Sequence, residues 1–373
     1  MDAQPNAPLP HPLPDTAVAA SVRMRLQRTW PAVVALYLLA PVVAELLSGS
    51  TPPRDWNNVG GVVLTVGLYG SGALLAREIV RSRGLSWGNL ALLGVAYGAL
   101  EEGMAYQSWF NPSWTPPPDA ARALAVNWTF VVGFTSIHTT LSILTSIVLA
   151  EAFFPTLATR PWLGRAGRIA FTVWLGLVVL VLFLTYGFVN FRGKGYDHPP
   201  VSYVLAPTIF VVCLLLGTFA RIPRVQAVGS RRLPRLWFLR LMGILGGFVV
   251  LVNLFILRNL IPIPVIPITL ILATDLLGVY LVRRWARRPG WGMRQRLALV
   301  SGVMGVFIVF APVVEFLIPT PALTGITVVN LLALAGLIFL AYRVARFEHA
   351  PNAPADLPMA PIPPMPPAIL AGP

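Results

Sequence analysis

The sequence predicts an all-α, polytopic transmembrane bundle of about ten spans, with both termini in the cytoplasm. Three observations lead there. Of 373 residues, 56% are hydrophobic and only 11% charged, against roughly 25% charged in an ordinary soluble domain. Apolar runs long enough to cross a hydrocarbon core of ~30 Å recur along the chain, and the basic residues collect on one side of them. A soluble fold of this length has no way to hide so much apolar surface, so lipid is the missing solvent. The formal charge of +14 does not point to nucleic acid, because the arginines sit in short loops between apolar runs.

The elements follow in order. Residues 1–20, which include PNAPLPHPLP, lack the apolar content to pack and are expected to form a disordered tail. No cleavable signal peptide is expected, because the first apolar run starts near Trp30 with no small-x-small site behind it. The spans are expected near 30–48, 59–79, 89–107, 125–150 and 168–189, then 201–220, 236–257, 264–282, 296–318 and 323–342. Ile261–Ile268, reading IPIPVIPI, is expected to be re-entrant or kinked. Residues 349–373 repeat the proline-rich composition of the start, which leaves 21–348 as the transmembrane domain. Cys213 is the only cysteine, so no intramolecular disulfide forms and stability comes from helix packing.

Charge fixes the orientation. With the N-terminus inside, all but Arg54, Arg122, Arg192, Lys194 and Arg258 of the 28 Lys and Arg fall on the cytoplasmic side, as the positive-inside rule requires. Trp109, Phe110 and Trp114, in QSWFNPSW, are expected in the headgroup layer as interface anchors. APVVAELL (Ala40–Leu47) and APVVEFLI (Ala311–Ile318) form a short internal echo, each with a glutamate near the outer end of its span.

Ionisable groups inside a span cost at least ~2.5–3.5 kcal/mol, so each needs a reason. Those well inside are Glu45, Glu101, Glu102, Asp275 and Glu315. Glu78 and Glu151 lie near cytoplasmic ends, and Glu78 is expected to pair with Arg81 at i,i+3. The third span carries Glu101 and Glu102 side by side. Neighbouring α-helical positions point about 100° apart, so the two carboxylates are expected to diverge. Tyr97 lies four residues before Glu101, and Tyr106 four after Glu102. In the fourth span Thr135, His138, Ser142 and Thr145 line one face. His138 and Glu101 fall at comparable depths on consecutive antiparallel helices, so a carboxylate–imidazole pair is expected between them. Such a pair serves as a general base, a proton relay or a metal site. The alternative is interhelical hydrogen-bond glue, worth about 0.6 kcal/mol per contact.

Glu101-Glu102, followed by Phe134-Thr-Ser-Ile-His138, resembles the EExxxR and FxxxH motifs of the CPBP family, the CAAX- and bacteriocin-processing intramembrane proteases. Tyr106 stands where that first motif has arginine, and no later span supplies the further histidine of that family. The resemblance implies a general-base role for Glu101 or Glu102 and a water-positioning role for His138. A broader resemblance is to uncharacterised bacterial multi-pass membrane proteins. It rests on APVVAELLSGSTPP (Ala40–Pro53), YGSGALLARE (Tyr69–Glu78), AYGALEEG (Ala96–Gly103), QSWFNP (Gln107–Pro112) and RPWLGR (Arg160–Arg165), and implies a multi-pass protein of the bacterial plasma (inner) membrane.

Phosphate-loop, HExxH and GxSxG signatures are absent. The expected catalytic set is Glu101, Glu102 and His138, with Glu45, Asp275, Glu315, Tyr106 and Ser142 as further intramembrane polar residues. No metal ligands are assigned and the cofactor is left open. Three functions remain: an intramembrane hydrolase acting on a membrane-embedded peptide, lipid or small molecule, a proton-coupled secondary transporter, and a non-catalytic scaffold. The lipid bilayer is the one partner common to all three.

Overall fold

The computed structural model describes residues 29–114, 122–189, 196–230, 232–261, 263–317, 321 and 323–348. The proline-rich tails at 1–20 and 349–373 lie outside the described residues. The chain is an all-α polytopic bundle. Its first two spans are α1 (Thr29–Leu46) and α2 (Val59–Ser82). Then comes α3, which runs Trp87–Gly98 and continues as a π-helix over Ala99–Ala105. Next are α4 (Trp128–Phe153), α5 (Arg165–Gly187), α6 (Ser202–Phe219) and α7 (Leu236–Leu260). The last three are α8 (Val265–Ala286), α9 (Met293–Leu317) and α10 (Ile326–Glu348). Among the described residues, nine of these are long and apolar enough to cross a membrane, and α3 occupies the third expected position. Of the prolines of IPIPVIPI, Pro264 caps the start of α8 and Pro267 lies on its first turn, while Pro262 lies outside the described residues.

Local signals explain the helix starts. Asn58 and Asn127 accept the backbone N–H of Gly61 and Phe130, satisfying donors that a helix end leaves open. Ser86 and Asn89 form a reciprocal capping box at the head of α3. A two-stranded hairpin (Arg122–Ala123 with Val126–Asn127) delivers the chain into α4. Leu124 and Ala125 form its turn at φ +53° and +61°, the left-handed geometry of a two-residue hairpin.

Packing is uneven. In α4 61% of the apolar stretch is buried, against 11% in α5 and in α8. The polar residues are therefore held within a packed half, while α5 and α8 turn apolar side chains outward to lipid. Glycine sets the closest approaches. A Cβ on Gly94 would stand 2.9 Å from Thr139 Cα, and one on Gly98 3.0 Å from Thr135 Cα. This small-xxx-small pair draws α3 onto α4. Likewise a Cβ on Gly243 would meet the Leu299 carbonyl of α9 at 2.2 Å, so α7 and α9 touch backbone to backbone.

Two expectations are corrected. Trp109 and Phe110 are not headgroup anchors: both are fully buried, in a cluster with Val126, Phe130, Ala206 and Leu254, because the turn after α3 folds back under α6 and α7. Trp114 is half-buried and packs on Tyr106 and Tyr186. Nor does Glu78 pair with Arg81. It accepts the Trp162 backbone N–H at 2.9 Å, and Arg81 grips Glu151 through two contacts of 2.8 and 2.7 Å. Arg77, 1% exposed, joins the same Glu151 carboxylate at 3.0 Å. Its remaining N–H groups donate to the carbonyls of Leu157, Ala158 and Arg160, and its guanidinium stacks 3.3 Å over the Trp162 ring. The RPWLGR segment is thereby clamped to α2 and α4.

Candidate functional site

The residues expected to matter share an unusual backbone. Val42–Leu46, Ala99–Ala105, His138–Thr145 and Leu184–Val189 are π-helical, and they carry Glu45, Glu101 with Glu102, His138 and Tyr186 respectively. π-Helical turns are rare and concentrate at functional sites. A fifth, Asn253–Leu257, carries no titratable side chain.

The widened winding of α3 allows what an α-helix would not. Glu101 and Glu102 both reach the His138 ring, so the expected divergence of the two carboxylates is corrected. Glu102 Oε1 lies 2.8 Å from Nε2, and Glu101 Oε2 lies 3.1 Å from Nδ1. The two ring nitrogens face different directions, and one carboxylate meets each. All three side chains are buried. Ser142 Oγ, one turn along α4, is 3.1 Å from His138 Nδ1.

The two glutamates differ in what else they hold. Glu102 is occupied: Oε1 meets the imidazole and Oε2 accepts the Ser108 hydroxyl. Glu101 is 0% exposed, and among the described residues no well-formed hydrogen bond reaches its oxygens, though the Tyr69 and Tyr97 hydroxyls face it. Its contact with Nδ1 is close but poorly aligned. The buried Tyr97 hydroxyl likewise has no well-formed hydrogen bond among the described residues but faces Glu101, and its ring stands edge-on to His138 at 6.2 Å. A buried polar group without a partner costs roughly 1–3 kcal/mol, more when charged, so these two groups are expensive to keep inside the bundle.

Tyr69 and Ser108 belong to the site but escape sequence reasoning. Tyr69, on α2, packs 6.1 Å from the His138 ring and donates its hydroxyl to Glu45, whose other oxygen accepts from Thr51 at 2.6 Å. Ser108 reaches Glu102 because Gln107, at φ +57°, stops the helix in a left-handed conformation. That conformation is uncommon for a residue other than glycine. Gln107 is held there by the Tyr196 hydroxyl at 2.6 Å, and burial pushes that phenol above its ordinary range. A glycine would have flagged the turn in the sequence; glutamine does not.

The other candidates lie further off. Asp275, from α8, accepts the Ser136 hydroxyl at 2.7 Å, two residues before His138. Tyr106 turns away to pack edge-on against Tyr186 at 4.9 Å. Glu315 takes no part in the site. It accepts the Gly325 and Thr327 backbone N–H groups and the Thr327 hydroxyl, capping α10. The echo between Glu45 and Glu315 thus has a local counterpart, since each accepts a threonine hydroxyl from the segment beyond its helix.

Chemically, three titratable groups in contact can pass one proton among them. They also each offer one ligand atom within 4.8 Å of the others, close enough to hold a metal ion. No curated protein and no solved structure matches the chain. Residues 34–355 match a sequence family described as an uncharacterized membrane protein family. A match over that length places the chain in this uncharacterised family of multi-pass membrane proteins.

Proposed function

We propose that the protein is an intramembrane hydrolase of the bacterial inner membrane, with Glu101 as the base that activates water. The observation that carries this is the Glu101 carboxylate: it is fully buried, with one oxygen 3.1 Å from His138 Nδ1 and, among the described residues, no well-formed hydrogen bond to either oxygen. A water lodged there donates one proton to Glu101 while its oxygen attacks a carbonyl carbon. The carbon–nitrogen or carbon–oxygen bond then breaks, and the proton passes to the departing amine or alkoxide. His138, whose Nδ1 lies 3.1 Å from Glu101, orients that carboxylate toward the water. Glu102 and Ser142 hold the ring between them and act as positioning residues. The Tyr97 hydroxyl, a buried donor beside Glu101, suits the oxyanion. The Glu101-Glu102 and Phe134–His138 likeness to the CPBP proteases supports the same roles, and a membrane-embedded peptide or lipid-like ester is the substrate class.

The test does not depend on the identity of the substrate. Purified protein in nanodiscs is incubated with membrane-derived peptides and lipids in ¹⁸O-labelled water. Hydrolysis places one ¹⁸O in each new carboxyl group. Labelled products are expected from wild type and not from Glu101→Gln or His138→Ala, both still folded. No labelled product from wild type, or equal labelling by the variants, removes the hydrolase reading.

A second reading has one observation in its favour. The Asp275–Ser136 contact sets another carboxylate beside the His138 stretch of α4, as a proton path through the bundle would require. In that case the chain is a proton-coupled transporter.

A further inference from the structure

The inner ends of α7 and α8 carry a cationic surface that the site above does not use. Two cavities adjoin there. One, of about 550 Å³, has Arg235, Arg284 and Arg288 on its walls with Trp237, Phe238 and Trp285. The other, of about 540 Å³, is framed by Arg283, Arg284, Arg287 and Arg288 with Tyr280. Arg284 and Arg288 belong to both. Each makes one exposed hydrogen bond: Arg284 donates to the Tyr280 hydroxyl at 3.2 Å and Arg288 to the Arg232 carbonyl at 2.7 Å. Trp285, 5% exposed, stacks with Trp291 and meets Phe238 edge-on, so the floor is rigid.

Topology alone explains why arginines lie on this side, but not why they wall cavities. Two others at the inner face, Arg77 and Arg81, are neutralised by Glu151. Among the described residues, none of Arg235, Arg283, Arg284, Arg287 and Arg288 pairs with a carboxylate, and the nearby Arg294 takes Glu348. Outward of the cavities, α7 and α8 expose an apolar wall that includes Trp237, Leu241, Leu277 and Tyr280.

We infer that these paired cavities bind an anionic phospholipid carrying two phosphates, one phosphate in each cavity. Guanidinium groups recognise phosphate oxygens through paired N–H donors. The two arginines shared between cavities bridge the two headgroup charges. The acyl chains lie along the exposed faces of α7 and α8. Basic pockets at the cytoplasmic ends of membrane helices suit such headgroups.

The probes are cardiolipin, phosphatidylglycerol, phosphatidylcholine and inorganic phosphate, each added to delipidated full-length protein in detergent. Binding is read by native mass spectrometry and by tryptophan fluorescence. Cardiolipin is expected to bind most tightly, and the double variant Arg284→Gln/Arg288→Gln to bind it about 30-fold more weakly, at ~1 kcal/mol per arginine. Arg343→Gln, which lowers charge at the inner end of α10, is expected to bind as wild type does. Unchanged binding in the double variant overturns the proposal, as does phosphatidylglycerol binding as tightly as cardiolipin. Inorganic phosphate competing at equal concentration would show an anion site rather than a lipid site. Should the double variant unfold, Arg284→Lys/Arg288→Lys keeps the charge, and unaltered affinity in it would sink the paired-donor geometry.

Discussion

Gly94 of α3 lies so close to Thr139 of α4 that a methyl group placed on it would stand 2.9 Å from the threonine Cα. The histidine one residue earlier owes its carboxylate neighbours to that approach. Replacing Gly94 with valine should force the helices apart, at a cost of about 1–3 kcal/mol for an overpacked core. Thermal unfolding in detergent should show a lower Tm, and product formation should fall with it. An unchanged Tm would mean that the α3–α4 contact yields without loss.

Both nitrogens of His138 are engaged in the resting site, by Glu102 and Ser142. Proton-transfer hydrolysis should therefore survive chelation: activity is expected to be the same with and without EDTA. If EDTA abolishes it and a single divalent ion restores it, Glu101, Glu102 and His138 are metal ligands and the water is activated by the ion.

Asp275 separates the two functional readings. As hydrolase, the protein should tolerate Asp275→Asn with less than about a threefold change in rate, since Asp275 hydrogen-bonds only Ser136 among the described residues; a general base is worth about 10²–10⁴-fold. Proton-driven uptake by proteoliposomes that vanishes in Asp275→Asn would select the transporter.

Glu151 neutralises two arginines, one of them 1% exposed. Removing one partner of a buried pair leaves an uncompensated charge, which costs about 3–5 kcal/mol. Glu151→Gln should lower Tm strongly while leaving the rate per folded molecule intact. Loss of rate without loss of stability would assign this clamp a role in the chemistry.

The bundle itself was legible because length and hydropathy report directly on spans. Glu101, Glu102 and His138 stood out because lipid makes such residues expensive. What escaped depended on backbone geometry. Reading α3 with 3.6 residues per turn separates its two glutamates, but the His138 ring sits between them and each carboxylate meets a different nitrogen. Ser108 joined through a left-handed glutamine that no turn residue announces. Tyr69 lay hidden because a tyrosine among glycines on α2 looks like packing. Trp109 and Phe110 were misplaced because aromatic residues beside a span suit the headgroup layer and the core equally well on composition.

The π-helical stretches have a consequence for how this chain tolerates change in length. Each holds surplus backbone within a turn, like slack in a coil. Deleting one residue from Ala99–Ala105 would take up that slack as the turn relaxes to ordinary winding, so the helix beyond it would keep its phase while the residues inside the turn shift. Tyr106 and the Gln107–Ser108 corner would then stay near their partners while Glu101 and Glu102 moved on the His138 ring. The protein would still insert, but with its polar centre out of phase.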